Sequence, residues 1–429
     1  MVARRSVAAV LGVVALSTGL AACGSGGGGS EDGQVTLTYW TSVEEDTLAA
    51  GEGPVIEAFE KANPDIKVEV EKIAFGDYNT KLQTEMRGGA GPDVGRVNHT
   101  DVQTYAAAGF LLPLDDAIAA GDIDTKPLIP GPVDVGKVGG KQLSLPLTTD
   151  ARVLYVNLDM LAEHGIDTAP ETWSELLADV KAFAGTDEYG YGFTTDSDYA
   201  LSYESAGPYI NTAGGLILDA EGTQAVASSD AQTGAAVQLL QDIVATGAVP
   251  PGLDNLSGDT VSQLFAKKKL AMMLGGPWVR PQIEGYNPDM KYGEDWATVP
   301  VPVQNAGDAS SSTAGGWQVG AFKNSEHPEE AAKLVGWMTK PENLEAINKT
   351  EAFPPTVDGL TVSPWSDDPF YDAFEAVLPE ARVPITPVAR LAEVSAAFEN
   401  ILEPAVIKPG ASVPDALSEF DAKADEIIK

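Results

Sequence analysis

Residues 35–70 read VTLTYWTSVEEDTLAAGEGPVIEAFEKANPDIKVEV and hold two strands around one helix. Val35, Leu37 and Tyr39 alternate with Thr36, Thr38 and Trp40, which is the period of a strand, and Ile66, Val68 and Val70 repeat it. Between them Pro54 suits a first helical turn, Val55, Ile56, Phe59 and Ala62 make one apolar face, and Asn63-Pro64 ends the helix. Strand, helix and strand in so short a run form a βαβ unit, and two strands joined by such a crossover lie parallel in one sheet. The fold class expected from this stretch is α/β.

The pattern continues downstream. Asp77 to Met86 reads as a helix, Val94 to Val97 as a short strand and Val102 to Ala108 as another helix. Thr172-Trp173-Ser174-Glu175 is a capping box that opens a helix with Trp173, Leu176, Leu177, Val180 and Phe183 turned inward. Further helices are expected at Ala231 to Thr246 and Pro328 to Met338. Val388, Leu391, Val394, Phe398 and Ile401 then share one helical face, and Ser412 caps a last helix to Ile428. A length of 429 residues suits two or three domains. No flexible linker separates them, so passages between domains are expected inside structure, at Pro146 to Thr149, Val299 to Val303 and Asn348 to Asp358.

Upstream, residues 1–22 carry Arg4, Arg5, an apolar stretch from Val7 to Leu16 and then small residues, the layout of an export signal. The apolar part is shorter than the about 20 residues that span a bilayer. Leu20-Ala21-Ala22-Cys23 resembles a bacterial lipobox, and Cys23 is the sole cysteine, so it is the expected lipidation site. Residues 23–33 are then the lipidated cysteine and a flexible tether, since the glycine run after Cys23 has no side chains to pack. The expected location is the extracytoplasmic face of a bacterial cell membrane, held by lipid alone.

The charge excludes whole classes of partner. With 27 basic residues against 63 acidic ones the net charge is −36, and the one basic cluster of note is Lys267, Lys268 and Lys269. A phosphate backbone needs concentrated positive charge, so nucleic acid is not expected as a partner, and an anionic lipid surface would repel the body. His99, His164 and His327 are too scattered for a zinc site, no Gly-x-Ser-x-Gly elbow is present, and Gly131 to Val138 imitates a phosphate loop without its magnesium-binding hydroxyl. Asp196-Ser197-Asp198 lacks the loop that would follow it in a calcium site. No catalytic residue, metal or cofactor is expected; a glycosidase built on two of the many acids is the enzyme alternative.

A set of motifs carries a family resemblance. In order they are Leu37 to Thr41, Gly53 to Pro64, Gly91-Pro92-Asp93-Val94, Ala107 to Leu114, Leu145-Pro146-Leu147 with Leu154 to Asn157, Pro170 to Leu176, Phe265 to Met272 with Gly275-Gly276-Pro277-Trp278, and Gly315-Gly316-Trp317 before Glu329 to Ala332. Together they resemble the family 1 extracellular solute-binding proteins of ABC sugar importers, the group that includes the maltose-binding protein. The resemblance implies a two-lobed, periplasmic-binding-protein-like α/β fold. Each lobe would be a mainly parallel sheet flanked by helices, with a ligand cleft between them. It divides the chain into an N-terminal lobe of 34–147 with 302–350 and a C-terminal lobe of 148–301 with 351–429.

By the same resemblance the chain is a non-enzymatic, monomeric receptor. It captures a neutral sugar by lobe closure and passes it to membrane permease subunits. A maltodextrin-stacking tryptophan of the family is replaced here by Glu393, which favours a mono- to trisaccharide. A polyol or phosphodiester cargo and an adhesin without small ligand are the other readings. Sugars present apolar C–H faces and hydroxyl rings, so their sites combine aromatic platforms with acceptors and forked donors. Trp278 matches the family's stacking position, Trp317 and Gly316 are expected at the cleft, and Trp40 belongs to cleft or core. Asp150 and Arg152 either reach the ligand or pair with each other. Asn98, Thr100 and Asp101 bind hydroxyls or cap a helix, Glu44 and Glu45 supply a further acceptor or lie exposed, and Tyr209 and Phe353 are weaker aromatic candidates.

Overall fold

The computed structural model describes residues 34–43, 45–196, 199–351, 365–408 and 410–429. Cys23 with residues 1–33, Glu44 and Phe353 lie outside the described residues. The strands are β1 Val35–Thr41, β2 Ile66–Lys72, β3 Val94–Asn98, β4 Lys137–Val138, β5 Lys141–Gln142, β6 Leu145–Pro146, β7 Val153–Asn157, β8 Tyr189–Gly192, β9 Leu270–Gly275, β10 Trp296–Val299 and β11 Trp317–Ala321. They form a five-stranded sheet in the order β2-β1-β3-β11-β6, a four-stranded sheet in the order β10-β7-β9-β8 and the small β4-β5 ribbon.

The βαβ unit is present. Helix Glu52–Ala62 joins β1 to β2, which pair in parallel from Val35 opposite Ile66 to Thr41 opposite Lys72. Successive side chains of a strand point to opposite faces. Leu37 and Tyr39 therefore pack under that helix with Val55, Ile56 and Phe59, while Trp40 faces the other layer with Tyr78, Leu82, Val97 and Tyr105. The capping box at Thr172 is also present, with Glu175 Oε2 accepting from the Thr172 backbone N–H at 2.9 Å. The helix expected to carry Val388 begins later, at Leu391.

Both sheets are mixed where mainly parallel ones were expected. β3 with β11 and β11 with β6 are antiparallel, as are β10 with β7 and β7 with β9; β8 with β9 is parallel. Strands that enter a lobe from the other lobe arrive from the cleft end and so run against their neighbours. The second sheet has its own core, which takes in Tyr155, Trp173, Phe265 and Trp296 together with Phe398 and Phe420 of the C-terminal helices Leu391–Ile407 and Val413–Ile428.

The passages between the two sheets lie beside one another. Leu147 N–H and Thr148 N–H donate to Trp317 O, and Asp150 and Gly315 exchange backbone hydrogen bonds at 3.2 and 3.0 Å. Buried Asn348 donates to Leu147 O at 3.1 Å and ties helix Pro341–Glu351 to the first passage. Val299 to Val303 is not a passage. Val303 bridges to Thr172, and the stretch up to Ser312 stays on the second lobe, with Thr212 donating to Ser311 O and Asn211 to Ser312 O. The return to the first sheet is at Ala314 to Trp317, later than the 301/302 division expected from the sequence.

Candidate functional site

β3 and β11 end together because Asn98 lies opposite Trp317 in their register. Beyond Asn98 the chain turns: Asn98 Oδ1 accepts from the Thr100 N–H at 3.1 Å and from its hydroxyl at 2.8 Å, which orders the loop before helix Val102–Ala107. Helix Phe75–Arg87 adds Phe75, Tyr78 and Asn79 to the same end of the sheet.

The second lobe supplies Tyr199 and the π-helix Ala200–Ser205 that follows it. A π-turn is rarely stable by itself and recurs at functional sites. Here buried Glu399 holds it, accepting from the N–H of Leu201 at 2.7 Å, the N–H of Ser202 at 2.9 Å and the Ser202 hydroxyl at 2.8 Å. Burial pushes the Glu399 carboxyl up to about 8, against those three hydrogen bonds. The turn presents Tyr199 and Tyr203 one helical step apart.

Between these elements lies a cavity of about 290 Å³. Its aromatic wall is built edge to face: Phe75 with Trp317 at 6.0 Å, Tyr78 with Trp317 at 5.9 Å, Phe75 with Tyr199 at 6.3 Å and Tyr199 with Tyr203 at 6.2 Å between ring centroids. Phe75 is 51% exposed and offers its ring to the cavity. Asn79, Asn98, Thr100, Asp101 and Asp196 add polar groups. Burial pushes the Asp101 carboxyl up to about 7, opposed by one hydrogen bond from Asn79.

A second chamber of about 260 Å³ shares Tyr203 and Leu391 and adds His99, Gln103, Asp134 and Pro387. Burial and the nearby Arg152 charge push the His99 ring down to about 4, so it is neutral at physiological pH. Its Nδ1 lies 3.1 Å from Gly316 O and must carry the proton, which leaves Nε2 as an acceptor, buried and without a partner. The Tyr203 hydroxyl is buried and unpartnered as well.

Beside the chambers Arg152 is held from two sides: Nη1 donates to Asp150, Nε to Glu204 Oε2 at 2.9 Å and Nη2 to Glu204 Oε1, and the guanidinium lies 5.1 Å from the centre of the Trp278 ring. Burial lifts the Asp150 carboxyl to about 6 in spite of the guanidinium. Under Trp317 sits a second buried cation, Arg96. It is 5.6 Å from that ring and bound by Glu52 at 2.7 Å and by Glu351.

The structure brings Asn98, Thr100, Asp101 and Trp317 to the cavity wall. Asp150 and Arg152 pair with each other, as their spacing on an extended strand allows. Trp278 is half-buried, folded over Gly276 and under Arg152, and lines neither chamber. Trp40 is 3% exposed in the core, because both faces of its sheet are covered. Tyr209 is fully buried, its hydroxyl 2.9 Å from that of Tyr191. Glu45 is exposed and 4.0 Å from Lys72. Gly316 is spent on chain packing: at φ +128° a Cβ there would meet Thr148 O at 2.3 Å, and its carbonyl serves His99. Asp196, weighed above only as part of a calcium loop, lines the cavity, and Phe75, Tyr78, Asn79, Tyr199 and Tyr203 were not singled out; two tyrosines four apart were the available signal.

Among the described residues no group of three or more His, Cys, Asp or Glu could hold a metal ion, and no helix is long and apolar enough to cross a membrane.

The sequence model of the family described as bacterial extracellular solute-binding protein matches residues 41–345. A binding protein of Brucella abortus (strain 2308) is 28% identical over 400 residues, covering 89% of this chain and 91% of its own. The maltodextrin-binding protein of Bacillus subtilis (strain 168) is 29% identical over 349 residues, covering 79% and 78%. Among solved structures, an ABC transporter solute-binding protein of Thermotoga lettingae bound with α-D-tagatose superposes with a TM-score of 0.80 at 24% identity, over 92% of this chain and all of that one, and so shares its fold.

Proposed function

Because the chain belongs to the bacterial extracellular solute-binding protein family, we propose that it is the lipid-anchored receptor of an ABC importer, taking a mono- to trisaccharide between its lobes and delivering it to permease subunits. The observation that carries the reading is the aromatic-walled cavity between the two sheets, with its fringe of amide, hydroxyl and carboxyl groups. Flat rings cover the C–H face of a sugar and the polar fringe meets its hydroxyls. Sites for small ligands run to about 300–1,000 Å³. One chamber of about 290 Å³ falls just short of that range, and with its neighbour of about 260 Å³ it suits a short sugar and not a long chain.

Trp317, Phe75, Tyr199 and Tyr203 stack on the ligand in this reading, and Asn98, Thr100, Asp101 and Asn79 hold its hydroxyls. Binding closes the lobes as a hinge at the paired passages, because the ligand contacts both walls only in the closed form. Cys23 carries the lipid, and the chain works as a monomer without turning its ligand over. The relative that binds maltodextrin and the neighbour bound with tagatose support the cargo class.

The test is a thermal-shift screen of the soluble part, Ser30 to Lys429, against mono-, di- and trisaccharides, polyols and glycerophosphodiesters. A ligand bound only by the folded state adds about 2.7 kcal/mol at a hundredfold excess over Kd. A selective shift by a sugar, lost in Trp317→Ala, is the expected result. A shift by none of the sugars overturns the reading.

A further inference from the structure

The charge around the chamber has one sign. Asp101 and Asp196 line it, and among the described residues no lysine or arginine does. Of the guanidiniums near it, Arg152 is shared by Asp150 and Glu204, and Arg96 under Trp317 by Glu52 and Glu351, so each is more than neutralised. Asp101 stands apart from that network. It is 9% exposed, it receives a hydrogen bond from Asn79 at 3.2 Å, and no cation steadies its carboxylate. The groups facing it are phenols: Tyr78 and Tyr105 from its own lobe, Tyr199 and Tyr203 from across the chamber.

A buried carboxylate without a counter-ion costs free energy that a ligand cation would recover. The faces of aromatic rings attract the same cation, and this chamber has five such residues in Phe75, Tyr78, Tyr199, Tyr203 and Trp317. A neutral sugar uses the rings and leaves Asp101, whose carboxyl burial pushes up to about 7, partly protonated and without a cation at neutral pH, whereas an ammonium beside it would favour the charged form. Building on the sugar-receptor reading, we propose that the preferred ligand is an amino sugar with a free, protonated amine, its ammonium at Asp101 and its ring against Trp317 and Phe75. The unpartnered Tyr203 hydroxyl, 1% exposed, then accepts from or donates to the sugar beside the amine.

Calorimetric titration of the purified chain at pH 7 and low salt, with matched pairs, tests this. Glucose is set against glucosamine, galactose against galactosamine and mannose against mannosamine, with the corresponding disaccharides and their N-acetylated forms. The amine is expected to bind about tenfold or more tighter than its neutral parent in at least one pair, with the N-acetylated form behaving as the parent. In Asp101→Asn the ratio of amine to parent should fall to about one. Neutral parents that bind as tightly as the amines in every pair, or an amine preference that survives Asp101→Asn, overturn the proposal and leave the sugar reading standing. Failure of every sugar in both series overturns both.

Discussion

Gly315→Ala gives the sharpest test of how the lobes are joined. The residue sits where the two passages pair, and a Cβ there would lie 2.2 Å from Asp150 Oδ1 and 2.3 Å from Arg152 Nη1, closer than any real contact. The backbone cannot yield easily, since Asp150 and Gly315 bond to each other in both directions. The guanidinium must therefore leave Asp150, which is 3% exposed. Breaking a buried pair costs about 3–5 kcal/mol, and an overpacked site alone about 1–3 kcal/mol. Arg152 keeps Glu204 in the variant, so the lower end of the first range, about 3 kcal/mol, is expected. At about 2–4 °C per kcal/mol for a lobe of this size, the Tm should fall by roughly 6–12 °C. The partner experiment is the same substitution in Asp150→Ala, where the carboxylate is gone and the guanidinium can swing to Glu204. There the alanine should cost at least about 1 kcal/mol less than in the wild type, well beyond the ~0.5 kcal/mol scatter of independent sites. Urea unfolding of the four proteins gives the cycle. A Tm within about 2 °C of wild type for Gly315→Ala, or strict additivity with Asp150→Ala, would refute the ion pair as the reason for the glycine.

Three further outcomes follow from the buried groups. Glu399 has its carboxyl raised to about 8, so the folded chain keeps a proton that the unfolded chain releases; stability should fall as pH rises between about 4.5 and 8, by up to about 1.4 kcal/mol per pH unit, and Glu399→Gln should flatten that slope in urea melts at stepped pH. Tyr203→Phe removes a buried hydroxyl with no partner. The unliganded chain should melt at the same temperature or higher, by up to about 1–3 kcal/mol of relief, while ligand affinity drops; a destabilised apo form would show that the hydroxyl is bonded after all. Arg96→Met strands Glu52 and Glu351 together in the first lobe, and a loss of about 3–5 kcal/mol is expected at pH 7, shrinking in acid as Glu351, whose carboxyl burial pushes up, takes up a proton.

Much of the fold was legible because its elements are local. The βαβ unit rests on residues 35–72, and the capping box at Thr172 on four consecutive positions. The site was legible in part. Asn98, Thr100 and Asp101 follow a strand whose end can be read from the sequence, and Trp317 opens one. Trp40 was ambiguous for a physical reason: alternation shows that a strand has two faces, not that one of them is the cleft, and here helices cover both. Tyr199 and Tyr203 escaped notice because their π-turn is stabilised by Glu399, a residue 197 positions away from Ser202. Phe75 looks like an ordinary helix-start residue until its exposure is measured. The passage expected at Val299 to Val303 failed because Trp173 Nε1 and the Trp173 N–H hold Pro302 O and Val303 O to the second lobe.

The order in which the first sheet is assembled has a kinetic side. β3 is flanked by β1, made just before it, and by β11, which comes much later; His99 and Gly316 touch across 217 positions, and Arg96 meets Glu351 across 255. Contacts so far apart in the chain form slowly, because a long loop must close before they repay its entropy. During synthesis the first lobe therefore has a bare β3 edge until β11 emerges, and Arg96 has Glu52 without Glu351 until later still, by which time the four strands of the second sheet have been made. The first lobe thus keeps a sticky edge that invites pairing with other chains until β11 arrives, and the second lobe, whose core takes in Phe398 and Phe420, closes only when the last two helices have been made.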